Sequence, residues 1–231
     1  MSGTLRGVGL GPGDSGLVTR RAAALVAGAR VVAYPAPAGG ESFARRIAGD
    51  LLAPGVREIR IDLPMTRARE PAQRAYDAGS ARIAEALEEG EDVVCLCEGD
   101  PLFYGSFMYL MARLRPRFAV EVVPGVTSLT ASAAAAGMAL AARDAVVTVL
   151  PGTLPDARLR DALRQADTLA ILKVGRHLPR LRALLAAEGL GGTYVERATL
   201  GAERVLPLGE APEDAPYFSM ILVRRGVDPW T

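Results

Sequence analysis

Asp92-Val93-Val94-Cys95-Leu96-Cys97-Glu98-Gly99-Asp100-Pro101-Leu102-Phe103-Tyr104-Gly105-Ser106 is the stretch around which the rest of the chain is arranged. Val93 to Cys97 is an unbroken apolar run. Such a run suits a strand buried on both faces, as in a parallel sheet covered by helices. Glu98-Gly99-Asp100-Pro101 then suits neither strand nor helix. Leu102 to Leu114 resumes as an apolar run and reads as a helix. In open α/β sheets ligands lie beyond the carboxyl ends of the strands. Gly99 permits close approach to the backbone, and Pro101 sets the exit direction. On local chemistry alone, a ligand loop and a plain tight turn explain these residues equally well.

The totals bound what surrounds this stretch. The chain has 231 residues, of which 50% are hydrophobic, enough for one large or two small domains. Net charge is +1, from 27 Lys+Arg against 26 Asp+Glu. That balance argues against a nucleic-acid partner, which demands a basic surplus, but leaves room for a local basic patch. Cys95 and Cys97 read as small buried core residues in a reducing compartment. His177 is the only histidine, so no metal site is expected. The first residues lack a signal peptide's apolar core, and no run of about 20 apolar residues exists to span a membrane. A cytoplasmic protein with no membrane partner is the expectation.

Outward from the centre, strands and helices alternate. Strands are expected at Leu5 to Leu10, Arg30 to Tyr34 (stopped by Pro35-Ala36-Pro37), Glu58 to Leu63 and Phe118 to Val123. Helices carry Val18, Ala22, Leu25 and Ala29, with Asp14 or Ser15 as cap, then Phe43, Ile47 and Leu51, then Pro71 to Glu89. This is the pattern of a mainly parallel sheet. Pro124-Gly125 breaks the chain, and Thr127 or Ser128 opens an alanine-rich helix through Ala136. The second half has a strand at Ala145 to Leu150, a helix near Asp156 to Ala166, a strand at Thr168 to Lys173 and a helix at Pro179 to Glu188. Three strands then follow without a helix, at Thr193 to Glu196, Arg204 to Pro207 and Tyr217 to Val223, and their short connections suit antiparallel pairing. Two α/β domains are therefore expected, residues 1–123 and 124–231, the first sheet mainly parallel and the second mixed.

Gly11-Pro12-Gly13-Asp14-Ser15-Gly16 satisfies the dinucleotide pattern GxGxxG. A nicotinamide site also expects an acidic residue near the end of the second strand. That region reads Val31-Val32-Ala33-Tyr34-Pro35, and Pro12 removes a backbone donor, so the dinucleotide reading is disfavoured.

Gly9-Leu10-Gly11-Pro12-Gly13-Asp14, Glu98-Gly99-Asp100-Pro101, Pro124-Gly125-Val126-Thr127-Ser128 and Glu196-Arg197-Ala198-Thr199 occur in that order. The set resembles the tetrapyrrole methyltransferases, over nearly the whole chain. The longer strings Cys97 to Phe107, Leu150 to Pro155, Lys173-Val174-Gly175-Arg176 and Pro216 to Met220 are most similar to the branch that methylates C20 of precorrin-2. The resemblance implies two α/β domains with a cofactor cleft between them, and a homodimer. It implies S-adenosyl-L-methionine as methyl donor, S-adenosyl-L-homocysteine as product and a polyanionic tetrapyrrole as substrate, metal-free or cobalt-containing. It places Pro12, Glu98, Gly99, Asp100, Phe103, Thr127, Ser128, Lys173, Ala198, Met220 and Ile221 at the cofactor. Lys173 stands near a position that is often methionine in relatives, and Ala198 where glycine is common. Uroporphyrinogen-III methyltransferases carry an aspartate after the tyrosine ending strand two, whereas Tyr34 here is followed by Pro35, against that specificity.

A polycarboxylate substrate calls for arginines concentrated at its site. Arg67, Arg69, Tyr104, Arg176 and Arg197 are the candidate substrate contacts, with Arg74 and Arg143 beside them. Tyr104, Asp144 and Glu196 are conceivable proton relays, but no residue is assigned as catalytic. Positioning is expected to dominate.

Overall fold

The computed structural model describes residues 2–64, 66 and 68–225. Its contacts divide the chain into two compact units, one ending at Thr127 and the other beginning at Ser128.

The first unit holds strands β1 (Thr4–Gly9), β2 (Val31–Pro37), β3 (Arg57–Leu63), β4 (Val93–Cys97) and β5 (Ala119–Val123). Between them run helices α1 (Arg20–Ala27), α2 (Phe43–Ala48), α3 (Arg69–Glu88) and α4 (Phe107–Leu114). The sheet order is β3-β2-β4-β1-β5 and every pairing is parallel. Alternate residues of each strand serve opposite faces. Leu5, Val93, Cys95 and Cys97 meet Ile83, Leu87, Phe107 and Leu110 of α3 and α4. Val8, Leu10, Val94 and Leu96 meet Ala22, Val26, Ala44 and Ile47 of α1 and α2. Both faces are therefore covered, which is why β4 reads as a continuous apolar run. Each fully buried Val, Leu, Ile or Phe among them contributes about 1.5–3 kcal/mol. The Cys97 thiol is pushed well up by the neighbouring Cys95 and by burial, as expected of an inert core thiol rather than a reactive one.

This order decides where the site lies. From β1 the chain steps to β2 and β3 on one side, then returns to β4 and crosses to β5 on the other. Right-handed crossovers place α1 and α2 on one face and α3 and α4 on the opposite one. The chain thus leaves the adjacent strands β1 and β4 toward opposite faces, which makes their carboxyl ends the switch point at which open α/β sheets place ligands.

The second unit holds α5 (Ser128–Ala135), β6 (Val147–Pro151), α6 (Asp156–Gln165), β7 (Thr168–Leu172), α7 (Leu178–Ala187), β8 (Thr193–Glu196), β9 (Arg204–Pro207) and β10 (Ser219–Arg224). Its sheet order is β6-β7-β10-β8-β9, with β6 parallel to β7 and the other pairs antiparallel. Leu159, Leu163, Leu178, Leu181 and Leu185 pack on Leu169, Ile171, Tyr194 and Ile221. α5 lies against β8 and β10. The expected antiparallel trio is present, and β10 inserts between β7 and β8.

Three local expectations change. β2 does not stop at Tyr34 but continues through Pro35 to Pro37. Its pairing to β4 ends at Ala33 while pairing to β3 runs on to Pro37, so beyond Ala33 it is an edge, where proline is tolerated. Leu102 to Ser106 is turn rather than helix, and α4 starts only at Phe107. There Tyr104 adopts φ 56°, and a Cβ on Gly105 would lie 2.7 Å from the Pro101 carbonyl oxygen. Asp14 caps the short turn Ser15–Leu17 rather than α1, which is capped by the Thr19 hydroxyl accepting from the Ala22 amide at 3.2 Å.

A Cβ at Gly125 would meet the Gly99 carbonyl oxygen at 2.1 Å. Gly125→Ala is expected to lower unfolding free energy in urea by about 3 kcal/mol, the upper end of overpacking, because backbone must move. Gly201→Ala, with nothing within 4 Å of its Cβ, is expected to change stability by less than about 0.5 kcal/mol.

Candidate active site

The carboxyl edge of the first sheet is built from three loops pressed backbone to backbone. The Gly11 amide donates to the Gly99 carbonyl at 3.3 Å and the Gly99 amide returns a bond to the Gly11 carbonyl at 2.8 Å. The Leu10 amide donates to Cys97 O at 2.9 Å, so the loops after β1 and β4 are stitched together. A Cβ on Gly9 would lie 2.6 Å from the Gly125 amide nitrogen and 2.7 Å from the Gly99 carbonyl oxygen. Only glycine permits this approach. Gly99 itself has φ 59°, and a Cβ there would meet nothing nearer than 3.8 Å, so its outer side is bare backbone.

The two acids of this turn divide their work. Asp100 Oδ1 accepts from the Leu102 amide at 2.9 Å and Oδ2 from the Gly125 amide at 3.1 Å. Both oxygens brace backbone, tying the loop after β4 to the loop after β5. Glu98 makes no such bond and keeps solvent access. Desolvation by the protein around it nevertheless raises its carboxyl pKa, with Arg46 pulling the other way. Arg46 is held over the Phe43 ring at 4.8 Å. In the middle of β2, the Tyr34 hydroxyl donates at 2.5 Å to Glu58 near the start of β3, and Arg45 forms a forked pair with the same carboxylate. The Arg45 bonds hold Glu58 below the usual carboxylate range, and burial raises the Tyr34 hydroxyl.

The second unit has its own strained edge. Lys173 follows β7 at φ 56°, and Arg197 follows β8 at φ 51°. Left-handed backbone at a side-chain-bearing residue costs about 1–2 kcal/mol, and such residues concentrate at functional positions. β10 runs antiparallel to both strands, so its first residues, Ser219 and Met220, lie on the same edge. The Arg197 amide donates to Phe218 O at 2.8 Å and closes that edge. Glu196 is 3% exposed, and its Oε2 accepts from the Tyr194 hydroxyl at 2.6 Å. Burial raises the Tyr194 hydroxyl pKa, and the bond to Glu196 adds to it.

The residues singled out in sequence fall into these two groups. Pro12, Glu98, Gly99, Asp100, Phe103, Tyr104 and Thr127 lie in the loops after β1, β4 and β5, with Pro12 buried and Phe103 edge-on to Tyr104 at 5.2 Å. Ser128 is the first residue of α5. Lys173, Arg176, Arg197 and Ala198 follow β7 and β8. Ile221 is different, because its side chain belongs to the core of the second unit and offers only backbone. Arg69 opens α3 after β3, two strands from the Glu98 loop, roughly 10 Å at the spacing of paired strands. Arg74 is committed to Glu70 one turn earlier. Arg67 lies outside the described residues. Sequence reasoning missed Arg204 and the Gly9–Gly125 contact. The cross-strand register Glu196↔Arg204 was the signal for the first, and the second arises only when strands non-adjacent in sequence meet.

Glu98→Gln tests the desolvated carboxylate. A raised folded-state pKa means that the folded protein binds this proton more tightly than the unfolded chain. Stability is therefore lost as pH rises from the ordinary glutamate value through the folded value. The variant is expected to be slightly more stable than wild type at pH 7, by under about 1 kcal/mol for an accessible group, and equal to it below pH 4, as read from Tm against pH.

The match to the model of the Tetrapyrrole (Corrin/Porphyrin) Methylases extends over residues 4–212. The chain is 45% identical over 235 residues to cobalamin biosynthesis protein CobIJ of Mycobacterium tuberculosis, covering 97% of this chain and 46% of that protein. It thus spans about half the length of such relatives. It is 41% identical to a precorrin-2 C(20)-methyltransferase of a Sinorhizobium species, covering 96% of this chain and 95% of the relative. Identity to the cobalt-precorrin-2 C(20)-methyltransferase of Salmonella typhimurium is 33%, covering 97% and 98%. Among solved structures, uroporphyrin-III C-methyl transferase of Thermus thermophilus, complexed with S-adenosyl homocysteine, superposes with a TM-score of 0.68 at 26% identity, covering 96% of this chain and 97% of the other. The chain belongs to the tetrapyrrole (corrin/porphyrin) methylases.

Proposed function

We propose that this chain is an S-adenosylmethionine-dependent methyltransferase acting at C20 of precorrin-2, to give precorrin-3A in cobalamin biosynthesis. The observation that carries it is the glycine-on-glycine closure of Gly9, Gly99 and Gly125 beside the accessible Glu98. It stands in a chain alike over its whole length to a protein of that name.

The residues of the first edge fit the methyl donor. Gly99, without a side chain, lets a ligand lie close against the turn, and Glu98 offers a carboxylate for an ammonium or a hydroxyl pair. S-adenosylmethionine supplies, when bound, a methyl group on a sulfonium whose positive charge is lost on transfer. A carboxylate against that sulfur would favour the starting state over the transition state. Glu98 is accordingly assigned to a polar end of the ligand, and Asp100 to bracing the turn through its two backbone bonds. Pro12 and Phe103 supply apolar surface, and Thr127 borders the same loops. Ser128, Lys173, Ala198 and the backbone at Met220 and Ile221 are further contacts that family likeness assigns.

The nucleophile is an electron-rich bridging carbon already activated by conjugation with the ring nitrogens. No strong base is needed for attack, and no residue is assigned as acceptor of the proton that later leaves C20. The chain's contribution is rigid orientation of the partners. Arg69, Arg176, Arg197 and Tyr104 are assigned to the substrate's carboxylates and ring, and Arg67 to the same role. The enzyme works as a homodimer in the cytoplasm, a setting in keeping with two buried free cysteines. No helix among the described residues is long and apolar enough to cross a membrane.

A paired anaerobic assay with S-adenosylmethionine, read by product mass, tests the assignment. One methyl gained on metal-free precorrin-2 is the expected result. Gain only on the cobalt-containing ring would move the protein to the second reading, which its likeness to the Salmonella enzyme favours. Gain on neither, with S-adenosylhomocysteine still bound, would refute the substrate. Glu98→Gln is expected to weaken S-adenosylhomocysteine binding about tenfold in calorimetry, the scale of a lost charge-assisted bond.

A further inference from the structure

At the junction of β8 and β9 one buried carboxylate faces two arginines. Glu196 Oε1 lies 3.5 Å from Arg204 Nη1 and 3.7 Å from Arg197 Nη1, while Oε2 is taken by the Tyr194 hydroxyl. Both separations are long beside the roughly 2.8 Å of a charge-assisted hydrogen bond. The guanidinium groups are half in solvent, with side-chain exposures of 44% for Arg197 and 50% for Arg204. At this carboxylate two cations face one anion, so one buried glutamate does not satisfy both guanidinium groups. The other acid of this hairpin, Glu203, is engaged through Oε2 with the Thr199 amide at 2.6 Å.

The backbone is bent to make this arrangement. Successive residues of a strand point to opposite faces. Arg197 would therefore point away from Glu196 if β8 simply continued. Instead it sits at φ 51°, with its amide bound to Phe218 O at 2.8 Å and its carbonyl bound by the Leu200 amide at 2.9 Å. That left-handed turn carries the guanidinium back beside the carboxylate of its own neighbour. Arg204 reaches the same oxygen by register, directly across the ladder from Glu196.

From this geometry we infer that Arg197 and Arg204 form an anion subsite that takes one carboxylate of the ligand, with Glu196 as the positioning residue that holds the pair. Each guanidinium keeps donors directed away from Glu196, and the planar fork matches a carboxylate. The inference deepens the proposed function and rests on it for the class of ligand, a polycarboxylate macrocycle.

The test uses uroporphyrin III as a stable polycarboxylate probe, bound to the whole protein and followed by fluorescence. R197Q and R204Q are each expected to weaken binding tenfold or more and to flatten its salt dependence, and R204K to restore the salt dependence but only part of the affinity, because lysine supplies the charge without the fork. R164Q, on the surface of α6 beside Asp161, is expected to bind as wild type. In turnover of precorrin-2, R197Q and R204Q are expected to raise KM with little change in kcat. E196Q, keeping the shape but not the charge that holds the arginines, is expected to bind the probe more weakly than wild type. A double variant R197Q/R204Q with wild-type Tm and S-adenosylhomocysteine binding, yet unaltered probe affinity and KM, would overturn the inference and leave the reaction assignment standing. Arginine-dependent probe binding in a protein that methylates neither ring would support the inference and overturn the assignment. Absence of probe binding by the wild type would count against the subsite.

Discussion

The close approach of Gly9, Gly99 and Gly125 is the constraint on which the rest of the first unit depends. These glycines leave three different strands, and any side chain at Gly9 or Gly125 would drive the loops apart. With the loops closed, the reciprocal bonds between Gly11 and Gly99 form, and Asp100 reaches the Gly125 amide. A row of backbone groups is thereby held rigid at the carboxyl edge of a parallel sheet. For a reaction that relies on orientation rather than on a strong acid or base, rigidity here is the main thing a protein can supply. The same closure explains why both Asp100 oxygens hold backbone amides while those of Glu98 do not.

Strain is distributed in the same spirit. Among the described residues, Tyr104, Arg143, Lys173, Arg197 and Thr199 are the non-glycine positions with left-handed backbone. Tyr104 lies in the turn after β4, Lys173 follows β7, and Arg197 and Thr199 follow β8. None falls inside a strand or helix. The elements carry burial energy, and the junctions spend a little of it to aim side chains. Charges follow this division. Arg45 and Glu58 close a pair at the foot of the first sheet, whereas Arg197 and Arg204 remain a pair that one buried glutamate does not satisfy.

Much of the architecture was legible in the residues. Buried parallel strands must be apolar on both faces, and Val93 to Cys97 is. Short connections force antiparallel pairing, and Thr193–Glu196 and Arg204–Pro207 fall where the pattern placed them. The misreadings were local and share a cause. Pro35 and Pro37 stay in β2 because its pairing to β4 stops at Ala33 and leaves them paired on one side only, a fact about a neighbouring strand. Leu102 to Ser106 is apolar enough for a helix, but Tyr104 and Gly105 fold it against Pro101 instead.

The sequence by itself determined the alternation of elements, the two kinds of sheet and, through four ordered motifs, the family. Periodicity and turn chemistry act over a few residues, so they survive in a one-dimensional reading. Only the tertiary structure decided that Gly9, Gly99 and Gly125 share one contact, that Asp100 is a brace, and that Arg204 stands beside Arg197 on Glu196. These depend on strand order and register, which bring together residues far apart in the chain, and no local pattern encodes that distance.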